Sequence, residues 1–93
     1  MVTPVRVYLQ GAFRGHAVVD FADPGSRGHT LRVDDPPGTP IAFTTVSTEF
    51  LENLTPQEVS EVLRRYDLAG EMRMAGPHVC VIVTTNGLRS EPV

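Results

Sequence analysis

Lysine and tryptophan are missing from this 93-residue sequence, and cysteine occurs once, as Cys80. A single thiol cannot close an internal disulfide, so packing alone has to hold the fold. Cys80 stands inside the apolar run 79–83, which predicts an inert core thiol rather than a nucleophile. No apolar run approaches the roughly 20 residues of a membrane span, and no basic-then-apolar leader opens the chain. The cytoplasm is therefore the expected compartment, with no membrane partner. Acids outnumber bases 11 to 8, a net charge of −3. Such a surface repels phosphate backbones, which disfavours nucleic acid as a partner. Arginine supplies all eight bases.

Catalytic signatures are also missing. There is no G-x-S-x-G elbow, and no helix start follows the glycines at 25 and 28 to make a phosphate loop. His16 and His29, with acids at 20, 23, 34 and 35, lack the tight spacing of a zinc or EF-hand site. No metal and no cofactor are expected.

What the sequence does contain is one well-specified helix, LTPQEVSEVLRRYDLAG at 54–70. Thr55 is an N-cap, Pro56 suits the first helical position, and Glu58 completes a T-x-x-E capping box. Leu54 and Val59 form a hydrophobic staple across that start. Val59, Val62, Leu63 and Tyr66 recur at helical spacing, while Glu61 and Arg65 make a favourable i,i+4 pair off the stripe. Gly70 predicts a left-handed stop. The resulting main helix, about 55–69, is too short to be stable alone and needs a sheet to lie on.

The remaining segments read as that sheet. Val5, Val7 and Leu9 alternate with Arg6, Tyr8 and Gln10, the period of a strand with one buried face. Residues 17–21 are apolar on nearly both faces, which suggests a central strand. Residues 14–26 and 27–39 abut and share Arg-Gly-His starts and Pro-Gly ends. Each reads as turn, strand, Pro-Gly turn, with the glycine at the third position of a type II turn. Residues 41–46 are a β-branched and aromatic strand, and Ser47 or Thr48 caps a short helical turn to Asn53. Met72 and Met74 alternate with Glu71 and Arg73 as a short edge strand. Residues 78–85 form the most apolar, interior strand, and Asn86-Gly87 signals a turn.

The expected fold is α+β: a mostly antiparallel sheet of four to five strands with the main helix packed on one face. Residues 1–87 would form one domain and 88–93 a frayed tail. A meander places successive turns at opposite ends of a sheet, so His16 and His29 should lie far apart.

Three functional readings follow. The leading one, resting on absent chemistry, is a non-enzymatic regulatory or accessory protein working through protein–protein contact with a partner or with itself as a homodimer. Arg6, Tyr8 and Gln10 on the polar face of the first strand, with Arg64 and Arg65, would be its contact residues. The second is a small cofactor-independent enzyme, isomerase- or cyclase-like, or a ligand binder with a pocket between sheet and helix; His16, Asp20 and Tyr8 would be its acid–base groups. The third is a helix-turn-helix module with residues 48–53 before a recognition helix, which Glu58 and Glu61 near that helix's start disfavour.

Overall fold

The computed structural model describes residues 3–21, 28–36 and 38–92. The elements run α1 (Thr3–Ala12), β1 (Ala17–Phe21), β2 (Gly28–Asp35), β3 (Thr39–Ser47), α2 (Thr48–Glu52), α3 (Pro56–Tyr66), α4 (Leu68–Ala75), β4 (Val79–Thr84) and β5 (Gly87–Pro92). The fold is α+β. The five described strands lie in chain order, antiparallel at every junction but β3–β4, which is parallel. Parallel neighbours need a long crossover, and α2, α3 and α4 provide it.

Strand alternation separates the two sides of the sheet. Leu31, Val33, Ala42, Val46, Val81 and Val83 point inward to one core cluster with Val5, Leu9, Phe50, Val59, Leu63, Leu68 and Met72 of the helices. Thr44 shares that inner side, buried, and its hydroxyl donates to the Val81 carbonyl at 2.8 Å. The layer above the sheet is shared: α1, α2 and α4 touch strands, while α3 lies against α1 and α4. No described helix is long and apolar enough to cross a membrane.

The main helix begins as its sequence predicts. The Thr55 hydroxyl accepts from the Glu58 N–H at 3.2 Å, and the Glu58 carboxylate accepts from the Thr55 N–H at 2.9 Å. Ser47 caps α2 by accepting from the Phe50 N–H.

Several expectations are corrected. The segment expected as a first strand is α1. In a helix Val5, Leu9 and Phe13 stack four residues apart and are all buried, whereas Val7 turns to solvent at 59% exposure. A five-residue apolar alternation fits both periods, and the i,i+4 set prevails. The main helix ends at Tyr66 rather than 69, because Asp67 and not Gly70 takes the left-handed conformation, at φ 53°. Aspartate is among the few non-glycine residues that enter this region readily. The chain then enters α4, so Met72 and Met74 belong to a helix. Met72 is fully buried beside Leu68 and Ala69, and Met74 is 84% exposed.

Strand β1 is an edge, not a centre. Residues 88–92 are the paired strand β5, with Cys80 opposite Glu91 and Ile82 opposite Arg89, instead of a frayed tail. The turn after β2 is closed by the Gly38 N–H on the Asp35 carbonyl at 2.7 Å, which puts Gly38 at the fourth position rather than the third. The Pro24-Gly25 turn lies outside the described residues, as does Asp23.

Candidate functional site

The described helices bury their apolar residues on the inner side of the sheet, and among the described residues the outer side carries no layer, with only the polar side of α2 standing at one end of it. Alternation and register place Val19, Thr30, Arg32, Asp34, Phe43, Thr45, Cys80, Ile82 and Thr84 on that side, whereas Ile41, skipped where the β2–β3 register shifts, packs against the inner core. Most are half-buried by their sheet neighbours alone. Apolar and hydroxyl side chains alternate across the strands. Thr30 Oγ1 and Thr45 Oγ1 share a 2.9 Å hydrogen bond, and Thr45 Oγ1 lies 3.4 Å from Cys80 Sγ. Cys80 is thus not the core thiol its apolar run suggests. The parallel register puts it on the uncovered side opposite Phe43.

Toward the β1 end of this face a charged pair stands in the apolar surround. Arg32 donates from Nε to Asp34 Oδ1 at 2.6 Å and from Nη2 to Oδ2 at 2.8 Å. The Asp34 side chain is only 6% exposed and that of Arg32 29%. A nearly buried carboxylate needs such a bidentate partner to offset its lost hydration.

At the other end the face deepens to a cleft of about 740 Å³, walled by the start of α2 and by β5. Hydroxyls of Thr30, Thr45, Ser47 and Thr84 line it above Ile82, with Glu49, Glu52, Arg89 and Glu91 at the rim. A second cleft of about 700 Å³ lies between α1 and α3, lined by Val7, Pro56, Gln57 and Arg64 among others.

The residues expected to be functional are not gathered. On a helix Arg6 and Gln10, four residues apart, share one side and Tyr8 points away from both, so the three no longer form one strand face. Arg6 pairs with Asp20 on β1. The Tyr8 hydroxyl accepts from the Ala69 N–H at 3.2 Å, satisfying an orphan donor at the start of α4. Gln10 is exposed. His16 Nε2 lies 2.9 Å from Asp35 Oδ1. His16, Asp20 and Tyr8 therefore each have a different partner, and none of them lines either cleft. His29 sits opposite Val46, six residues back along β2 from the aspartate that holds His16, or roughly 20 Å at strand rise. Among the described residues no three of His, Cys, Asp and Glu gather to hold a metal.

Arg64 and Arg65 are both exposed on α3, and of the two Arg64 lines the second cleft. Helices α2 and α3 follow one another as a helix-turn-helix would. The carboxylate of Glu58, however, is turned back onto the cap, which holds it below its ordinary pKa through the Thr55 backbone N–H and then the Thr55 hydroxyl. It does not reach outward as a recognition side chain.

Sequence reading missed the outer face because facing is a matter of register. Phe43, Cys80 and Ile82 share a side only once β3 and β4 are known to pair in parallel. The alternation of 41–46 and 79–84 was visible, but it did not say which side the helices would take. No protein-family model matches the chain, and neither a curated protein nor a solved structure matches it.

Proposed function

We propose that the chain is a non-enzymatic regulatory or accessory protein of the cytoplasm. It works by protein–protein contact, as a homodimer, and receives its partner on the outer face of the sheet. The observation that supports this reading is the one-sided build. Val19, Phe43 and Ile82 stand half-buried on a surface with no described helix layered over it, while the described helices bury their apolar residues on the other side. Half-buried apolar side chains interleaved with hydroxyls on an uncovered sheet face suit a partner surface that completes their burial. The contact set moves accordingly from Arg6, Tyr8, Gln10, Arg64 and Arg65 to the face around Phe43.

Site-specific photo-crosslinking tests the partner surface. A photoreactive residue at position 43 should give protein adducts in cells, and one at position 74 on the helix layer should not. Equal adducts at both positions, or none at 43, would refute the reading. Light scattering tests self-association, and a single-chain mass at every concentration would remove the homodimer.

A second reading is favoured by the 740 Å³ cleft, whose hydroxyl lining suits a small polar ligand. Thr45→Val and Thr84→Val would weaken a ligand held there and leave position-43 crosslinking unchanged.

A further inference from the structure

We infer that two copies of this chain join through antiparallel pairing of β5 with β5, centred on Ser90, to make one continuous ten-stranded sheet. The inference rests on the homodimer reading above and specifies its interface. Among the described residues strand β5 pairs only with β4, so its far side presents backbone donors and acceptors that can take another strand. The sequence of that edge, Leu88-Arg89-Ser90-Glu91-Pro92, is complementary to itself. With Ser90 opposite Ser90 of the second copy, Arg89 of each chain stands opposite Glu91 of the other.

Both charged pairs fall on the outer side of the sheet, where Arg89 and Glu91 already lie 3.4 Å apart within one chain and are 66% and 54% exposed. The result is an alternating four-charge cluster on a two-fold axis. Leu88 meets Pro92 on the inner side. Directly opposed unlike charges stabilise strand pairs, and like charges destabilise them.

The other edge lacks this property. Pairing β1 with itself about Val19 would set Asp20 against Val18 and Phe21 against Ala17, with no unlike-charge match. Proline and charges can also blunt an edge against pairing. Here Pro92, at the last residue of the strand, removes one donor opposite each Leu88 and leaves its carbonyl to accept, and the charges alternate in sign instead of repelling a second copy.

Edge pairing also completes the outer face. Five strands about 4.8 Å apart and about 20 Å long present roughly 500 Å² in projection, below the ~800 Å² per side of a standard interface. Two sheets joined edge to edge present about 1,000 Å², with both faces directed the same way.

Sedimentation equilibrium of the full chain over a concentration series tests the register through charge swaps. In R89E and in E91R, like charges oppose at both symmetric positions. Each variant should dimerise at least about tenfold more weakly than the parent, a change of about 1.4 kcal/mol. Mixed in equal amounts, the two variants should recover a heterodimer. The R89E chain carries acids at both positions and the E91R chain carries arginines at both, so every opposed pair across the mixed interface is unlike. The double variant R89E/E91R, with unchanged net charge, should dimerise as the parent does.

Thiol labelling at Cys80 separates this arrangement from face-to-face stacking. Edge pairing leaves the labelling rate independent of concentration, whereas stacking protects the thiol as dimer forms. A dimer that ignores the charge swaps, or that protects Cys80, overturns the edge interface and leaves the homodimer reading standing. A strict monomer overturns both.

Discussion

Replacing Arg32 with methionine keeps most of the side-chain volume and strands the Asp34 carboxylate. The two bonds between them, at 2.6 and 2.8 Å, are charge-assisted, and a hydrogen bond to a charged group contributes about 1.5–3 kcal/mol. Removing one member of a fully buried pair costs about 3–5 kcal/mol, because the other charge remains uncompensated. Arg32 is 29% exposed, so water can enter where its head was and the cost falls to or below the bottom of that range. We therefore expect R32M to lose about 2–3 kcal/mol. In urea, with a slope of about 1.3 kcal/mol per molar for a domain this small, the midpoint should fall by about 2 M with the slope unchanged. Taking the carboxylate away as well removes the stranded charge, so R32M/D34L should recover at least half of the loss. A midpoint for R32M within about 0.3 M of the parent would refute the reasoning, since it would mean that Asp34 is hydrated without its partner.

Three further outcomes follow from local geometry. The Thr55 N–H holds the Glu58 carboxyl below its ordinary pKa of 4.5, so its contribution is present above that value and lost as pH falls through the lowered one. Glu58→Gln should flatten this part of the acid fall in urea midpoint, and an unchanged pH profile would count against the capping box. Tyr8→Phe leaves the Ala69 N–H without its acceptor at 3.2 Å and should cost about 1–2 kcal/mol, with faster hydrogen exchange at that amide as the specific sign. Gly28→Ala would set a Cβ 2.4 Å from the Val46 carbonyl oxygen, a backbone atom of the neighbouring strand that cannot swing aside. A loss of about 2 kcal/mol or more in thermal or urea unfolding is expected, and a neutral outcome would show that β2 and β3 part easily there.

Features settled within one helical turn were legible in the sequence. Thr55, Pro56 and Glu58 act on each other across three residues, so the start of α3 is as read. Where a second element decides, the reading failed. The alternation Val5, Val7, Leu9 looks like a strand, yet Leu9 and Phe13 are buried in the core because α1 lies against α3 and β1. Gly70 invites a helix stop, but Asp67 makes the turn, and the carboxylate of Asp67 then lies where a Gly70 Cβ would be, at 2.2 Å. The glycine thus serves close approach rather than left-handed backbone. Residues 88–93 look too few to pair, but β4 lies only a two-residue turn away and holds 88–92 along its whole length. The separation of His16 from His29 came through correctly, because it needed only the meander.

The candidate site was the least legible part, and the reason bears on where function should be sought. Expected acid–base groups turned out to have structural partners: Asp20 holds Arg6, Tyr8 satisfies α4, and His16 closes on Asp35. A side chain engaged in holding two elements together is poorly placed to exchange protons with a substrate as well, because its displacement would loosen both. The outer face has the opposite character. Phe43 and Ile82 complete no core, and half-buried apolar area gains roughly 25 cal/mol for each Å² that a second surface withdraws from water. Core side chains already receive that stabilisation from the helices, so binding can add little through them. On the sheet the gain still open lies over Phe43 and along β5, where the proposed partners would draw their affinity, whereas Val7 and Met74, the exposed large apolar side chains of the helix layer, stand apart on α1 and α4.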